Sequence, residues 1–429
     1  MYKYSLISLF MTVILVVSCK ENKESQNLKQ QSIKKHVTAK DILGNPDYLA
    51  ISYGGYRQKT REVQPTITEL KDDMKLLAAM GIKIIRTYNV QLQQAPNLCK
   101  AISELKKEDP NFEMYIMLGA WIDCLNAWTD RPVNHDVESP QNEEEIARAV
   151  ALAKQYPDII KVLAVGNEAM VKWATSYFVQ PNVILKWVNH LQDLKSKGEL
   201  PKDLWITSSD DFASWGGGDP LYHVEDLKEL AHAVDYISMH TYPYHNTHYN
   251  PEFWHVPEDQ MKLSKKQKIE KAMDRALQFA QKQYDSVSNY MKSIGVNKPI
   301  HIGETGWATV SKGFYGANGS KATDEYKQGL YYKKMRQWTN SNQISCFYFE
   351  AFNEQWKDAE HPNGSENHFG LFKINGEAKY PIWDLVDQGV FNGLTRNGKS
   401  IKKTYKGNLD ALMEEVLVPP SSTEVMAHR

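Results

Sequence analysis

The chain is short of cysteine, of net charge and of long apolar runs. Its 429 residues include only four cysteines, and the formal net charge is −1. A charge so close to zero gives no reason to expect nucleic acid or an anionic membrane surface as a partner. The sequence has no CxxC motif and no Cys/His cluster, so the spacings typical of zinc sites are absent. We therefore expect neither a metal site nor a cofactor.

The cysteines leave one structural question open. Cys19 lies near the start of the chain, and Cys99, Cys124 and Cys346 follow at wide spacings. A single disulfide between Cys99 and Cys124 is one alternative in an oxidising compartment. Three buried free thiols are the other alternative, which we favour.

The first residues are typical of a targeting segment rather than of a folded domain. Lys3 gives a basic start, and the apolar stretch 6–17 is too short to span a bilayer. The stretch ends in Val-Val-Ser-Cys at 16–19, which resembles the cleavage box of bacterial lipoproteins. The resemblance implies a signal peptide over 1–18, followed by a lipidated Cys19 and a polar tether over 19–44. The protein would then contact the bacterial outer membrane only through its lipid, on either face; a conventional signal peptide and an uncleaved anchor stay as alternatives.

Apolar, strand-like runs alternate with helical stretches along most of the chain. This alternation is the pattern of βα units and of a parallel sheet. Strands are predicted at 48–53, 82–88, 114–118, 160–165, 204–209, 236–240, 300–303 and 344–350. Eight strands with intervening helices predict the α/β class and a single (β/α)8 TIM barrel over residues 45–390. The polar segment 391–429 is predicted to be a partly disordered extension, and we expect a monomer.

Two glutamates stand at the ends of predicted strands. Glu168 follows the fourth strand and Glu304 follows the seventh. Because the carboxyl ends of barrel strands meet at one face, we expect both side chains at the same mouth. Two carboxyl groups across a cleft, one protonated and one ionised, are what glycoside hydrolysis requires. Asn167 could bond a sugar 2-hydroxyl there; a turn or a helix cap is the structural alternative for the Asn-Glu pair.

The motifs around these acids resemble those of glycoside hydrolase family 17. Residues 165–168 (Val-Gly-Asn-Glu) and 303–307 (Gly-Glu-Thr-Gly-Trp) are similar to its acid and nucleophile signatures. Segments 85–88 (Ile-Arg-Thr-Tyr) and 349–357 (Phe-Glu-Ala-Phe-Asn-Glu-Gln-Trp-Lys) are similar to its second-strand and eighth-strand segments. The resemblance covers about residues 45–387 and implies a retaining (β/α)8 hydrolase of β-1,3-glucan such as laminarin.

The resemblance also implies a role for each matched residue. Glu168 is the expected general acid/base and Glu304 the expected nucleophile. Glu354 and Lys357 are expected to orient the sugar or to tune the carboxylates, with a surface ion pair as the alternative. Trp307 is the strongest predicted sugar-stacking ring, with core packing as the alternative for any one aromatic residue. The expected substrate-binding residues are Tyr53, Tyr88, Trp121, Asn167, Tyr242, Trp307, Phe352, Glu354 and Lys357.

Two functional alternatives and one question of specificity stay open. A β-1,3-glucanosyltransferase could use the same two carboxyl groups, with a carbohydrate in place of water as the acceptor. A surface glycan-binding protein without catalysis is the second alternative. The long segments 123–139 and 244–260 could wall off part of the cleft, so endo and exo action are both open. His245, His248 and His255 match no metal-ligand spacing and are predicted to be solvated.

Overall fold

Eight parallel strands close into a barrel at the centre of the computed structural model, which describes the backbone of residues 36–427 and the side chains of residues 36–424. In chain order the strands are β1 (Leu49–Ser52), β2 (Ile82–Arg86), β3 (Tyr115–Ala120), β4 (Cys124–Leu125), β5 (Asn134–Glu138), β6 (Ile160–Asn167), β7 (Trp205–Asp211), β8 (Ile237–His240), β9 (Ile300–Gly306), β10 (Cys346–Phe349), β11 (Thr395–Arg396) and β12 (Lys399–Ser400). The barrel order is β1-β2-β3-β6-β7-β8-β9-β10, and β10 pairs with β1. The predicted (β/α)8 barrel is therefore confirmed.

The strands are buried on both faces. All six residues of β3 are buried, and its Ile116, Met117 and Leu118 have no exposed surface. In β6 only the last residue, Asn167, is partly exposed. Continuous apolar runs of this kind are typical of parallel strands that have helices on one face and the barrel interior on the other.

The helices cover the outside of the barrel. In chain order they are α1 (Ala39–Ile42), α2 (Ile67–Ala79), α3 (Gln94–Glu108), α4 (Gln141–Gln155), α5 (Pro181–Ser196), α6 (Glu225–Ala233), α7 (Pro243–Tyr249), α8 (Lys265–Ser293), α9 (Glu325–Ser341), α10 (Trp383–Asp387), α11 (Leu409–Glu415) and α12 (Ser422–Ala427). A π-helical turn spans Ala213–Gly217, and 3-10 turns span Pro220–Tyr222, Pro251–Phe253, Glu258–Gln260, Ser365–Asn367, Tyr380–Ile382 and Thr404–Gly407. Capping boxes fix where α2 and α8 begin, at Thr66 and Ser264. No helix in the described part of the chain is long and apolar enough to cross a membrane.

The folded unit begins earlier than the sequence predicts. Thr38 forms a capping box at the start of α1, and Ile42 in that helix has no exposed surface. Residues 38–44 were predicted to be part of the polar tether over 19–44. They belong instead to the folded unit. The predicted signal peptide over 1–18 and the lipidated Cys19 lie outside the described residues and stay predictions.

The C-terminal extension 391–427 packs against the barrel domain. Arg396 in β11 is fully buried, and its Nε donates to Asp73 of α2 at 3.0 Å. Further along, the N–H of Val256 donates to the carbonyl oxygen of Pro420 at 2.8 Å. The structure differs here from the predicted disorder, because the polar groups that suggested a solvated tail find charged and hydrogen-bonding partners on the barrel domain.

Two added elements stand at the carboxyl ends of the barrel strands. The segment after β3 contains the antiparallel hairpin of β4 and β5, and the segment after β8 contains α7. Both follow barrel strands directly, so they lie on the face where the βα-loops gather and add walls to a cleft there.

The cysteines of the described part of the chain are buried and unpaired. Cys99, Cys124 and Cys346 are free thiols, as we favoured from their spacing. Burial raises the pKa of Cys99 to about 12 and that of Cys346 to about 11, so both stay protonated and unreactive at neutral pH.

Candidate active site

Glu168 and Glu304 lie together in a large cleft at the carboxyl ends of the strands. Glu304 belongs to β9, and Glu168 directly follows β6. One carboxylate oxygen of each residue lies within 4.8 Å of the other, in a cleft with a volume of about 1570 Å³. Barrel closure thus brings together the two acids that the sequence places at strand ends.

The backbone turns sharply at Glu168. Its φ angle is 48°, in the left-handed region that residues other than glycine rarely adopt. The N–H of Glu168 donates to the carbonyl oxygen of Ser209 in β7 at 3.0 Å, which stabilises the turn. Unusual backbone of this kind persists only where its surroundings hold it, and it is common at functional sites.

Three donors hold the carboxylate of Glu304. Arg86 is 1% exposed and forms an ion pair with Oε2, which also accepts a 2.9 Å hydrogen bond from the hydroxyl of Tyr88. The hydroxyl of Tyr242 donates to Oε1 at 2.6 Å. Buried donors on both oxygens fix the orientation of the carboxylate and favour its ionised form.

The pKa of Glu304 lies below its ordinary value. Burial alone would raise this pKa, but His240, Arg86 and the hydrogen bond from Tyr242 outweigh burial and lower it. Burial also lowers the pKa of His240 to about 4, so the imidazole is neutral at neutral pH. At neutral pH the permanent charge of Arg86 and the hydrogen bonds from the two tyrosines therefore keep Glu304 ionised.

The pKa of Glu168 is shifted in the opposite direction. Burial raises this pKa and the negative charge of Glu304 raises it further, while Arg86 lowers it. Oε1 of Glu168 lies 3.0 Å from Nδ1 of His240. Two carboxyl groups whose surroundings push their pKa values apart are the pattern of an acid beside an ionised partner.

Arg86 links the two acidic residues through Asn167. The guanidinium donates to Oδ1 of Asn167 at 2.5 Å and to the carbonyl oxygen of Gly303 at 3.0 Å. Because the amide oxygen is engaged, the amide nitrogen of Asn167 is left to donate to a ligand. The predicted site residues did not include Arg86 or His240. The sequence does carry a signal for both, because Arg86 lies in segment 85–88, which resembles the family's second-strand motif, and His240 ends the predicted sixth strand.

Glu168, His240 and Glu304 are also the residues that could hold a metal ion. One ligand atom of each lies within 4.8 Å of the others. A cation, however, would have to compete for Glu304 with the buried guanidinium of Arg86. This donor set fits a pair of reacting carboxyl groups better than it fits a metal centre.

Glu354 and Lys357 are cleft residues rather than a surface ion pair. Glu354 is 3% exposed and accepts a 2.9 Å hydrogen bond from Nε1 of Trp356. Nζ of Lys357 lies 4.0 Å from Oε2 of Glu354 and 4.6 Å from the ring centroid of Phe349. Gly54 approaches so closely that a Cβ there would lie 2.0 Å from Oε1 of Glu354. The segments after β1 and β10 therefore fix this carboxylate together.

Aromatic rings border the cleft in two groups. The first consists of Trp121 and Trp128, which follow β3. The ring of Trp128 stacks on Tyr177, in the segment after β6, with ring centroids 5.0 Å apart. The second lies after β1 and β10, where Tyr56 packs edge-on against Trp356 at 5.8 Å. Of the predicted substrate-binding residues, those that line the cleft are Tyr53, Tyr88, Trp121, Asn167, Tyr242, Glu354 and Lys357.

Trp307 does not face the cleft, so the prediction of a sugar-stacking ring at this position is wrong. Its side chain is fully buried, Nε1 donates to the carbonyl oxygen of Ala322 at 2.8 Å, and the ring packs against Tyr331 of α9. The hydroxyl of Thr305 also contacts Tyr331, at 2.7 Å. Side chains alternate along a strand, so residues 305 and 307 face the helices while Glu304 faces the mouth.

Phe352 is likewise a packing residue rather than a sugar-binding one. It is 2% exposed and stacks on Phe372 with ring centroids 5.0 Å apart, while the guanidinium of Arg396 covers it at 3.8 Å. Tyr53 borders the cleft but is 1% exposed, and its hydroxyl donates to Asp73 at 2.8 Å. Neither ring has a free face for a sugar.

The histidines after β8 are more enclosed than predicted. His245 lines the cleft, and its Nδ1 lies 3.1 Å from the hydroxyl of Tyr315. His248 stacks on Phe314 with ring centroids 4.2 Å apart, and His255 is half-buried. His245 and His248 are less solvated than predicted because α7, which carries both, packs against the segment that follows β9.

Comparisons with known proteins agree with this fold. Residues 50–370 match the family described as the BtgE/BtgC glycoside hydrolase domain. The structure of an endo-laminarinase from Formosa Hel1_33_131 is 67% identical in sequence, with a TM-score of 0.90 over 90% of this chain and 98% of that chain. The family 17 β-1,3-glucanosyltransferase of Rhizomucor miehei is 18% identical, with a TM-score of 0.54 over 78% of this chain and 96% of that chain, and shares the fold.

Curated relatives are more distant. A basic vacuolar glucan endo-1,3-β-glucosidase from Nicotiana plumbaginifolia is 24% identical over 318 residues, which are 68% of this chain and 80% of that protein. The chain spans 37% to 41% of the length of the Aspergillus btgC proteins that it matches. From the match over residues 50–370 and the 67% identity to a solved relative, the chain belongs to the family of the BtgE/BtgC glycoside hydrolase domain, of the glycoside hydrolase family 17 type that its motifs predict.

Proposed function

We propose that the protein is a retaining, endo-acting hydrolase of β-1,3-glucan, with Glu304 as nucleophile and Glu168 as general acid/base. The observation that carries the proposal is the carboxyl pair, which lies within 4.8 Å and whose pKa values are shifted in opposite directions. Retaining glycosidases place these groups roughly 5–5.5 Å apart, whereas inverting enzymes leave roughly 6.5–9.5 Å for a water molecule. The short separation supports retention.

The substrate class is supported by the relatives and by the cleft. The solved relative at 67% identity is an endo-laminarinase, and the Nicotiana relative is a glucan endo-1,3-β-glucosidase. Aromatic groups at two separate places in the cleft suit the apolar faces of several sugar units. Room for sugars on both sides of the cleaved bond is what endo action requires.

In the first step, Glu304 attacks the anomeric carbon while Glu168 gives its proton to the glycosidic oxygen. The bond between that carbon and that oxygen breaks, the leaving chain departs as an alcohol, and a glycosyl ester forms on Glu304. The amide nitrogen of Asn167 is available to donate to the sugar 2-hydroxyl, a contact that strengthens in the transition state. Arg86 and the two tyrosines hold the nucleophile in place for the attack.

In the second step, Glu168 acts as a base. It takes a proton from a water molecule, the water oxygen attacks the anomeric carbon, and the ester bond to Glu304 breaks. Both carboxyl groups return to their starting protonation states. A sugar hydroxyl in place of water would transfer the glycosyl group with the same residues.

A time course on laminarin with product analysis tests the function. We expect the molar mass of the polymer to fall early, with oligosaccharides of intermediate length as the first products, and cello-oligosaccharides should stay intact as the linkage control. Release of a single short sugar from the start would indicate exo action, and products longer than the laminarin chains present at the start would indicate transfer. Tight binding of laminarin without any new reducing ends would overturn the assignment as an enzyme.

The pH dependence of kcat/KM on laminari-oligosaccharides should be a bell with a basic limb well above the ordinary pKa of a carboxyl group. The pKa of Glu168 is raised by burial and by Glu304, so the acid keeps its proton, and its activity, until the pH exceeds that raised value. The pKa of Glu304 is lowered despite burial, by His240 and Arg86, so the nucleophile stays ionised well into the acid range. In Glu168→Gln the basic limb should vanish; if it persists, another group titrates there.

A further inference from the structure

A buried chain of hydrogen bonds runs from the barrel interior to Glu168. Oγ of Ser238 lies 2.9 Å from Oγ of Ser209, which lies 2.8 Å from Nε2 of His240. Nδ1 of His240 lies 3.0 Å from Oε1 of Glu168. The two serines and the histidine have no exposed surface, so bulk solvent does not reach the chain.

The strand that carries the nucleophile leaves room for this chain. Gly303 precedes Glu304 in β9, and a Cβ at Gly303 would lie 2.2 Å from Oγ of Ser238 and 2.5 Å from Oγ of Ser209. Any side chain at position 303 would therefore displace the two hydroxyls. The glycine is required by the close approach of three strands at the level of the acids.

The direction of the hydrogen bonds decides where the proton of Glu168 lies. If Ser238 donates to Ser209 and Ser209 donates to Nε2, the neutral imidazole carries its proton on Nδ1 and donates it to Oε1 of Glu168. The proton of the acid must then be on Oε2. In the reverse direction Nδ1 is an acceptor, and it would draw the proton of Glu168 away from the substrate.

We propose that His240 is a positioning residue that donates from Nδ1 to Oε1 of Glu168, so that the proton of the acid is always carried by Oε2, towards the glycosidic oxygen. The inference rests on the proposed function of Glu168. The same contact serves the second step, because Oε1 remains engaged and Oε2 is the oxygen that takes the proton from water. The His240 imidazole gains no net proton at any stage.

The charges around His240 agree with a neutral ring. It is faced by Glu168 after β6, Asp210 on β7, Glu304 on β9 and Arg86 on β2. Burial lowers the pKa of the imidazole to about 4 and outweighs the carboxylates, which raise it. The imidazole of His240 therefore carries one proton, on one of its two nitrogens, throughout the pH range in which Glu168 acts as acid and base.

Two variants separate the two nitrogens of the imidazole. In His240→Asn the amide nitrogen can stand in for Nδ1 and still donate to Glu168, whereas in His240→Gln the amide reaches the position of Nε2 and the donor to Glu168 is lost. His301→Asn is the matched control, because His301 is also a buried histidine of a barrel strand and bonds the backbone N–H of Ser345.

The readout is kcat/KM on laminaritetraose, whose leaving group needs a proton, and on a 2,4-dinitrophenyl β-laminaribioside, whose leaving group does not. We expect His240→Gln to lose about 10- to 100-fold on the first substrate, the scale of a misplaced catalytic group, and little on the second. Its basic limb should move to higher pH, because a donor to the ionised form of Glu168 is gone. His240→Asn should retain most of the rate on both substrates, and His301→Asn should change both rates equally.

Equal losses of His240→Gln on the two substrates would overturn the inference, and so would a His240→Asn enzyme as impaired as His240→Gln. Either result would leave the proposed function intact, because the wild-type protein would still cleave both substrates. A wild-type protein that cleaves neither substrate would instead overturn the proposed function itself.

Discussion

Glu304→Gln is expected to lower kcat on laminarin by about 10⁴-fold or more, the scale on which loss of the nucleophile acts in other covalent mechanisms. The amide keeps the size of the side chain: its oxygen can accept from Arg86, and its N–H can donate to the hydroxyl of Tyr242. It has no anionic oxygen to form a bond with the anomeric carbon. The measurement is the initial rate of release of reducing ends, with a thermal melting curve to show that the variant is folded.

The matched control is Glu143→Gln, on the exposed side of α4, which should retain the rate. A second measurement identifies the nucleophile directly. An activated 2-deoxy-2-fluoro glycoside should leave a slowly hydrolysed ester on the wild-type protein, and peptide mapping should place the label on Glu304. A label on Glu354 or Glu168, or a Glu304→Gln enzyme with a tenth of the wild-type rate, would contradict the assignment.

Glu168→Ala should separate the two tasks of the acid/base. We expect kcat/KM on laminari-oligosaccharides to fall by about 10²- to 10⁴-fold, the usual contribution of a general acid. The fall should be much smaller on a dinitrophenyl glycoside, because that leaving group departs without a proton. With this activated substrate the glycosyl ester on Glu304 should then accumulate, since no base remains to activate water.

Azide should rescue the turnover of Glu168→Ala on the activated substrate. The small anion can enter the space left by the carboxylate and attack the glycosyl ester without a base. Two successive inversions give the β-glycosyl azide as the product. An α-glycosyl azide would show a single inversion and would exclude the covalent step on Glu304.

The barrel and its acid pair could be predicted because both are encoded locally. Parallel strands are buried on both faces, so β3 is an apolar run in the sequence and β6 is one that only Lys161 interrupts before its Gly-Asn end. Closure of the barrel then places every strand end at one face, whatever the distance along the chain. Two such runs each end in an acid, Glu168 or Glu304, and this was enough to predict a shared site.

The direction of individual side chains could not be predicted as well. The predicted seventh strand ends at residue 303, whereas β9 continues to Gly306. Because the predicted strand was too short, the alternation of side chains along β9 could not be extended to Trp307, whose ring faces α9 and not the mouth. The predictions for Phe352 and for the C-terminal extension were wrong for a different reason. Phe352 packs on Phe372, and Arg396 of the extension bonds Asp73; neither partner is a sequence neighbour, so neither contact leaves a local signal.

The closure of the barrel means that the chain can complete its fold only late in its synthesis. β1 pairs with β10, and Arg396 pairs with Asp73, which was added to the chain 323 residues earlier. Until β10 has been synthesised, β1 has one unpaired sheet edge, because β2 covers only its other side. Until Arg396 has been synthesised, the buried Asp73 has Arg57 as its single arginine partner. A chain terminated before β10 would therefore be an aggregation-prone open sheet rather than a folded protein of lower activity.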